Sequence, residues 1–409
     1  MNGNKTYVKK FKTVGFVFLS NILLLIIGLG LKAIQTDILS PEDYGNFSFF
    51  MAITSFIVLF FRFGFFSSIQ VLLAENNDPI KEKKLIGIAF ILSLIIGLLF
   101  SISIWLVGNI IDDIFQTNIG NILNLFAPLC FLFVFKQMVP SITTGSSLVK
   151  LNPINELISR GVFLILLLVT SLFLKLHLNE IIFLSITSMI ASVIYIWRQF
   201  KPSFKNLEVT WSMVLAKNKS YGFQLYLGQT AQQTTFKFDE IFITYFVNPT
   251  QLGFYSLAKF IAMPMVMMSQ ALSNTLYKSF SKAKEIPKKI LLYNFIWLTS
   301  CIGFLFLFKD VLVHILFGNE FMQTTDYVIP ISIALFFQGL YQPYSFLSAK
   351  SKGKEIRNTA TIESVVNIIG NLILIPAYGV MGAIYASILS KATHFIGLNY
   401  YYRRYLKKN

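Results

Sequence analysis

Charge is what this chain has least of. Asp, Glu, Lys and Arg make up 13% of its 409 residues, about half the share of a soluble domain. With 55% hydrophobic residues and a mean hydropathy of +0.64, the chain is too apolar to live in water. Acids are the scarcer sign, 19 against 35 Lys and Arg. Cysteine is nearly absent: Cys130 and Cys301 stand alone inside apolar runs, which excludes a disulfide framework and leaves both as apolar fillers. Three scattered histidines and two cysteines have no metal-ligand spacing, so no metal and no other cofactor is expected. A G-x-x-x-x-G-K-[ST] phosphate loop is missing, which argues against nucleotide hydrolysis as an energy source.

What the chain does have is long apolar runs. A bilayer core takes about 20 apolar residues per crossing helix. Twelve such stretches lie near 13–35, 44–73, 85–108, 119–147, 154–176, 180–198, 221–246, 250–277, 290–315, 325–347, 358–377 and 380–401. The short alternating segments of a membrane β-barrel do not occur. The expected fold is therefore an all-α polytopic membrane protein with twelve transmembrane helices. No small-residue cleavage site follows the basic N-terminus, so the first run reads as an uncleaved span.

A net charge of +16 raises nucleic acid as a partner, but the distribution of the cations argues against it. Of the 35 Lys and Arg, 27 fall in every second loop and at the two ends, within 5–12, 81–84, 150–160, 198–219, 278–289, 350–357 and 403–408. The alternate loops carry Asp37, Glu42, Asp43, Asp112, Asp113, Glu180, Asp310, Glu320 and Asp326, opposed only by Lys175 and Lys309. The positive-inside rule then puts both termini in the cytoplasm and the acidic loops outside. No nucleic-acid partner is expected.

One phrase is written twice. S-P-E-D-Y-G-N-F-S (Ser40 to Ser48) and N-P-T-Q-L-G-F-Y-S (Asn248 to Ser256) share Pro, Gly, an aromatic and Ser at one spacing, 208 residues apart. Gly15-Phe16 and Gly222-Phe223 are 207 apart, as are Glu156 and Glu363. The proline is expected to end a helix or open the turn, and the glycine to permit a close turn. Six helices followed by six similar ones predict two halves, residues 1–200 and 221–409. They would be related by an axis along the membrane normal, with a central cavity between them. Residues 201–220 join them. Phe204, Leu207, Val209, Trp211, Val214 and Leu215 among basic residues predict an amphipathic helix on the cytoplasmic face there, a plain basic linker being the alternative.

Four segments in this order carry a resemblance: L-S-P-E-D-Y-G-N-F-S, then D-E-I-F-I-T-Y-F-V-N-P-T-Q-L-G-F-Y-S-L-A from Asp239 to Ala258, I-L-F-G-N-E-F from Ile315 to Phe321, and I-P-A-Y-G-V-M-G-A-I-Y-A from Ile375 to Ala386. Over nearly its whole length the chain resembles the polysaccharide-export family of flippases. It is similar to the O-antigen (Wzx-type) members, relatives of the multidrug and toxic-compound extruders. One departure is Lys237-Phe238-Asp239, where the family commonly has an arginine before the aspartate. The resemblance implies a MATE-like helical transporter and a lipid-linked oligosaccharide as cargo, without naming the sugar.

Charges inside the spans point the same way. Lys32, Arg62, Lys136, Lys237, Lys259 and Lys391 lie in predicted spans, against Asp239, Glu240 and Glu363. A charge at mid-membrane costs roughly 2.5–3.5 kcal/mol, so six left in lipid would cost roughly 15–20 kcal/mol. They are expected to face the interior, except that Lys32, near a helix end, can snorkel. Helical spacing puts Gln229, Gln233, Lys237 and Glu240 in one stripe, and Ser256, Lys259, Met263, Met267, Gln270 and Asn274 in another. Ser48, Ser55 and Arg62 repeat likewise, as do Glu363, Asn367 and Asn371, and Ser387, Lys391 and His394. Polar members can equally bond helix to helix.

A cavity with more cations than anions suits an anionic guest. Lysine and arginine pair with phosphate oxygens, while Gln and Asn satisfy sugar hydroxyls. The expected substrate-binding residues are Arg62, Lys136, Lys237, Lys259, Lys391, Gln229, Gln233, Gln270 and Asn274. The expected activity is translocation of a polyprenyl diphosphate-linked oligosaccharide from the cytoplasmic to the outer leaflet, by alternating access. It would serve surface polysaccharide synthesis of the O-antigen or capsule kind in a bacterial cytoplasmic membrane. Membrane lipids and other polysaccharide-assembly membrane proteins are the further partners considered. Two other classes fit less well. An ion-coupled multidrug-type exporter calls for an acid-dominated cavity, and a glycan polymerase or ligase calls for a long outer loop with reactive residues. The ion-coupling candidates are Asp239, Glu240, Glu363 and His394. Glu240 reads as a counter-ion to Lys237, and Glu363 as the better proton carrier.

Overall fold

The computed structural model describes residues 2–408 apart from Asn77, Ser147, Phe236 and Ser351. The side chains of residues 2–15, Val17, Phe18, Gln229, Ala231, Gln232, Thr235, Lys278, Ser281 and Lys408 also lie outside the described set. Every regular element among the described residues is helical. The chain forms two compact units, Met1–Leu39 with Phe50–Thr234, and Ser40–Phe49 with Thr235–Asn409. The first unit contains α1 (Asn2–Ile38), the second half of α2 (Pro41–Ile57), α3 (Phe65–Glu75), α4 (Pro79–Gly108), α5 (Ile111–Phe115), α6 (Gly120–Phe126), α7 (Phe131–Gly145), α8 (Leu151–Phe173), α9 (Leu178–Phe200), α10 (Glu208–Lys217) and α11 (Phe223–Thr235). The second contains the start of α2 with α12 (Phe238–Phe246), α13 (Pro249–Ala262), α14 (Pro264–Lys282), α15 (Lys288–Phe317), α16 (Thr324–Tyr341), α17 (Ser345–Ala349), α18 (Gly353–Tyr378) and α19 (Val380–Lys408).

Two 30-residue helices show what surrounds the protein. Helix α4 starts cleanly, with Pro79 at its first position and the Asp78 carboxylate accepting from the Ile80 N–H at 2.8 Å. It buries Leu85, Ile88, Phe100 and Ile104 completely in the first unit. Helix α15 is nearly as apolar yet leaves Phe306, Leu307 and Ile315 mostly exposed. An exposed apolar face over some 45 Å of helix is stable only against lipid.

Seven helices are long and apolar enough to cross a membrane, and two bent pairs bring the number to nine among the described residues. The bends, 57° between Gly120–Leu129 and Phe131–Gly145 and 47° between Pro249–Ala262 and Pro264–Tyr277, coincide with Pro128 and Pro264. Each proline removes a rung of the helical hydrogen-bond ladder. The polytopic helical fold therefore holds, while three of the twelve expected spans fall short of this measure. Residues 221–246 divide into α11 and α12, residues 325–347 pass from α16 into a 3-10 turn at Gln342–Tyr344, and α19 carries Lys391, His394 and a basic end. Within 201–220, α10 is helical, with Val214 buried and Val209 exposed.

The repeated phrase has a different role from the one its sequence suggests. Pro41 and Pro249 are first residues of helices, and Ser40 and Asn248 cap them, accepting from the N–H groups of Asp43 (3.2 Å) and Gln251 (2.9 Å). Gly45 and Gly253 sit inside α2 and α13, not in turns. A Cβ on Gly45 would stand 2.4 Å from the Pro249 carbonyl oxygen, and one on Gly253 3.2 Å from the Gly45 Cα. The two copies pack on each other within the second unit, and glycine serves backbone approach between helices.

Candidate functional site

Helix α12 begins with two carboxylates, which suit the positive end of a helix, and the fold treats them oppositely. Asp239 is buried. Its Oδ1 accepts from the amides of Asn371 (2.6 Å) and Asn367 (3.2 Å), and its Oδ2 from the hydroxyls of Ser387 (2.7 Å) and Tyr255 (3.2 Å). These four donors come from α13, α18 and α19, and none is charged. Asn367 and Asn371 are four apart on α18, which puts both on the face turned to Asp239. Glu240, next in sequence, takes the cations: Lys237 at 2.9 Å on Oε2 and Lys259 at 3.3 Å on Oε1. The Lys259 ammonium also lies 5.4 Å from the Tyr255 ring centroid, within cation–π range.

A cavity of about 210 Å³ opens beside this pair, lined in part by Asp239, Lys259, Gln338, Glu363, Asn367 and Lys391. Behind its wall the His394 Nδ1 lies 3.0 Å from Glu363 Oε2, both side chains being buried. The Tyr341 ring packs against the imidazole, centroids 4.6 Å apart. The His394 Nδ1 forms no hydrogen bond among the described residues. The second Glu363 oxygen has no hydrogen-bond partner among the described residues.

The first unit has its own polar cluster. Arg62 follows a 3-10 turn, Val58–Phe61. Its Nη1 donates to Gln233 Oε1 at 2.9 Å and its Nη2 to Gln137 Oε1. Lys136 pairs with Glu156 at 3.2 Å, and Arg160 approaches the same carboxylate at 3.7 Å.

Asp239, Lys259, Glu363 and Lys391 thus meet on one cavity, His394 and Glu240 are joined to it through their partners, and Lys237 through Glu240. Arg62, Lys136 and Gln233 belong to the first unit. Gln270 and Asn274 are exposed on α14 and do not line this cavity, and the Gln229 side chain lies outside the described residues. Three of the expected cations have counter-ions: Glu240 pairs with Lys237 and Lys259, and Glu156 with Lys136. Spacing along one helix cannot show a partner on another. Two stripes are corrected, since one crosses the break between α11 and α12 and the other the bend at Pro264. Spacing missed Gln137, Tyr255 and Tyr341; the K-Q pair inside F-L-F-V-F-K-Q-M was the available signal for the first. No group of three or more His, Cys, Asp or Glu among the described residues could hold a metal ion.

A family model described as polysaccharide biosynthesis protein matches residues 11–284. The capsular polysaccharide biosynthesis protein CapF of Staphylococcus aureus is 22% identical, over 96% of this chain and 99% of its own length. Among solved structures, the lipid II flippase MurJ in an inward closed conformation superposes with a TM-score of 0.72 at 16% identity, covering 96% of this chain and 89% of that one. An inward-facing multidrug resistance MATE family transporter of the MOP superfamily gives 0.69 at 14%, covering 94% and 96%. Identities this low establish a shared fold.

Proposed function

The chain belongs to the polysaccharide biosynthesis protein family and has the fold of MOP superfamily transporters, and from that premise we propose that it flips a polyprenyl diphosphate-linked oligosaccharide from the cytoplasmic to the outer leaflet. The single observation that carries this reading is the cavity of the second unit, where two lysines stand beside Asn367 and Gln338. The ammonium groups suit diphosphate oxygens and the amides suit sugar hydroxyls. Lys259 shares Glu240 with Lys237, so it can turn to a phosphate without leaving that carboxylate unpaired. The likeness to CapF supports a polysaccharide route, and the fold shared with a lipid II flippase supports a lipid-linked cargo. Such a protein needs to make and break no bonds. It lowers the barrier to moving a polar head across lipid by offering it a polar path.

In this reading the halves 1–200 and 221–409, joined by 201–220, alternate access from a bacterial cytoplasmic membrane, with both termini in the cytoplasm. The test is reconstitution in vesicles with a fluorescent polyprenyl diphosphate oligosaccharide, read by an impermeant quencher. Flipping no faster than in protein-free vesicles would overturn the reading. Coupling is assigned to Glu363 on the cavity wall, whose carboxylate lies 3.0 Å from the His394 imidazole. Glu363→Gln should then abolish the response of transport to an imposed pH gradient, and an unchanged response would exclude this pair. Because Asp239 and Glu363 balance Lys259 and Lys391 on the cavity wall, an ion-coupled exporter is the second reading. The same vesicles would then move a lipophilic cation instead.

A further inference from the structure

A second cavity, of about 420 Å³, lies at the basic end of the second unit, where α18 begins and α19 ends. Its floor is aromatic. Phe346 and Leu347 are fully buried in a cluster with Tyr344 and Tyr402, and Tyr401 and Tyr405 pack against it. Tyr405 meets Phe346 edge-on, ring centroids 5.6 Å apart at 76°. The walls are cationic. Lys352 is fixed by its own N–H, which donates to the Leu347 carbonyl at 2.9 Å, and its ammonium lies 5.7 Å from the Tyr405 ring centroid. Lys354 and Arg404 complete the rim, with Asn358 and a single acid, Glu355. Among the described residues neither Lys354 nor Arg404 forms an ion pair. Helix α18 starts at this cavity without a side-chain cap, so its first N–H groups are open to an acceptor.

We propose that this cavity binds the phosphate group of an anionic ligand, taken either from a lipid headgroup or from free phosphate. Three cations against one carboxylate leave a net positive wall around a space many times the volume of a water molecule. Arg404 offers a planar fork for two phosphate oxygens, while Lys352 and Lys354 act as point charges. Tyrosines four apart on α19, with lysine stems beside them, make the pairing of aromatic and basic groups found at a membrane–water boundary. This site would take the same group whatever the protein transports.

The test uses the full chain purified in a neutral detergent. Phosphatidylglycerol and phosphatidylcholine adducts are compared by native mass spectrometry, and inorganic phosphate is titrated separately by calorimetry. The variant is Lys354→Gln with Arg404→Gln, both exposed residues. The control, Arg403→Gln with Lys407→Gln, removes the same charge from exposed positions of α19 that do not line the cavity. Retention of phosphatidylglycerol over phosphatidylcholine should fall by about tenfold or more in the variant and hold in the control, given about 1 kcal/mol per basic residue at an anionic surface. A loss confined to the lipid assigns the site to a headgroup. A loss confined to inorganic phosphate assigns it to the free ion, and a loss of both supports the shared chemistry. Equal binding by wild type and variant, or equal loss in the control, would overturn the proposal.

Discussion

Each unit keeps one charge among neutral amides, and the two charges are opposite. In the first, the Arg62 guanidinium donates to the side-chain carbonyls of Gln137 and Gln233. In the second, the Asp239 carboxylate accepts from the side-chain amides of Asn367 and Asn371 and from two hydroxyls. Neither has an ion-pair partner among the described residues. A carboxamide turns its oxygen to a cation and its nitrogen to an anion, so it solvates either charge without cancelling it. The pairs around Glu240 and Glu156 do the reverse, joining opposite charges. A membrane protein thus has two ways to hold a charge, by solvation with neutral amides and by pairing with an opposite charge.

The comparison breaks most sharply at Asp239. Asp239→Ala strands four donors in a buried site and should destabilise the protein by about 3 kcal/mol or more, read as a lower unfolding midpoint in detergent. Asp239→Asn keeps the shape and should cost less than half as much while still abolishing surface glycan. If both variants melted like wild type, the cluster would be incidental to the fold. A smaller effect, about 2 kcal/mol, is expected for Glu240→Gln, which leaves two part-exposed lysines facing one neutral amide. Adding Lys237→Met should restore part of the loss, and a purely additive double variant would show that the pair does not couple. The smallest effect belongs to Arg62→Lys. An ammonium keeps the charge but cannot span two glutamines as the fork does, so the cost should be about 1–2 kcal/mol. An Arg62→Lys protein indistinguishable from wild type in melting and glycan export would place the guanidinium geometry outside the function.

The membrane class, the helical fold and the family resemblance were legible in composition, apolar run length and four short motifs, because these are local properties. The α18 face of Glu363, Asn367 and Asn371 was legible for the same reason, by four-residue spacing. Its partner was not. Asp239 lies 128 residues before Asn367, and no periodicity along one helix encodes what the next helix brings. The seventh run read as continuous because nothing in T-T-F-K-F marks a break, and runs 119–147 and 250–277 were likewise read through Pro128 and Pro264, where the helices bend. The repeated phrase was legible as a repeat, but only coordinates reveal that Gly45 and Gly253 meet.

The cluster at Asp239 also sets a problem of timing. The helix that carries it enters the membrane well before its partners are made, since Asn367 and Ser387 follow 128 and 148 residues later. At 5–20 residues per second, that is a wait of roughly 6–30 s. Until then the aspartate has only Tyr255, sixteen residues on, and short α12 is no span by itself. A nascent chain that stalls before α18 therefore lacks three of the four groups that solvate Asp239 in the finished protein.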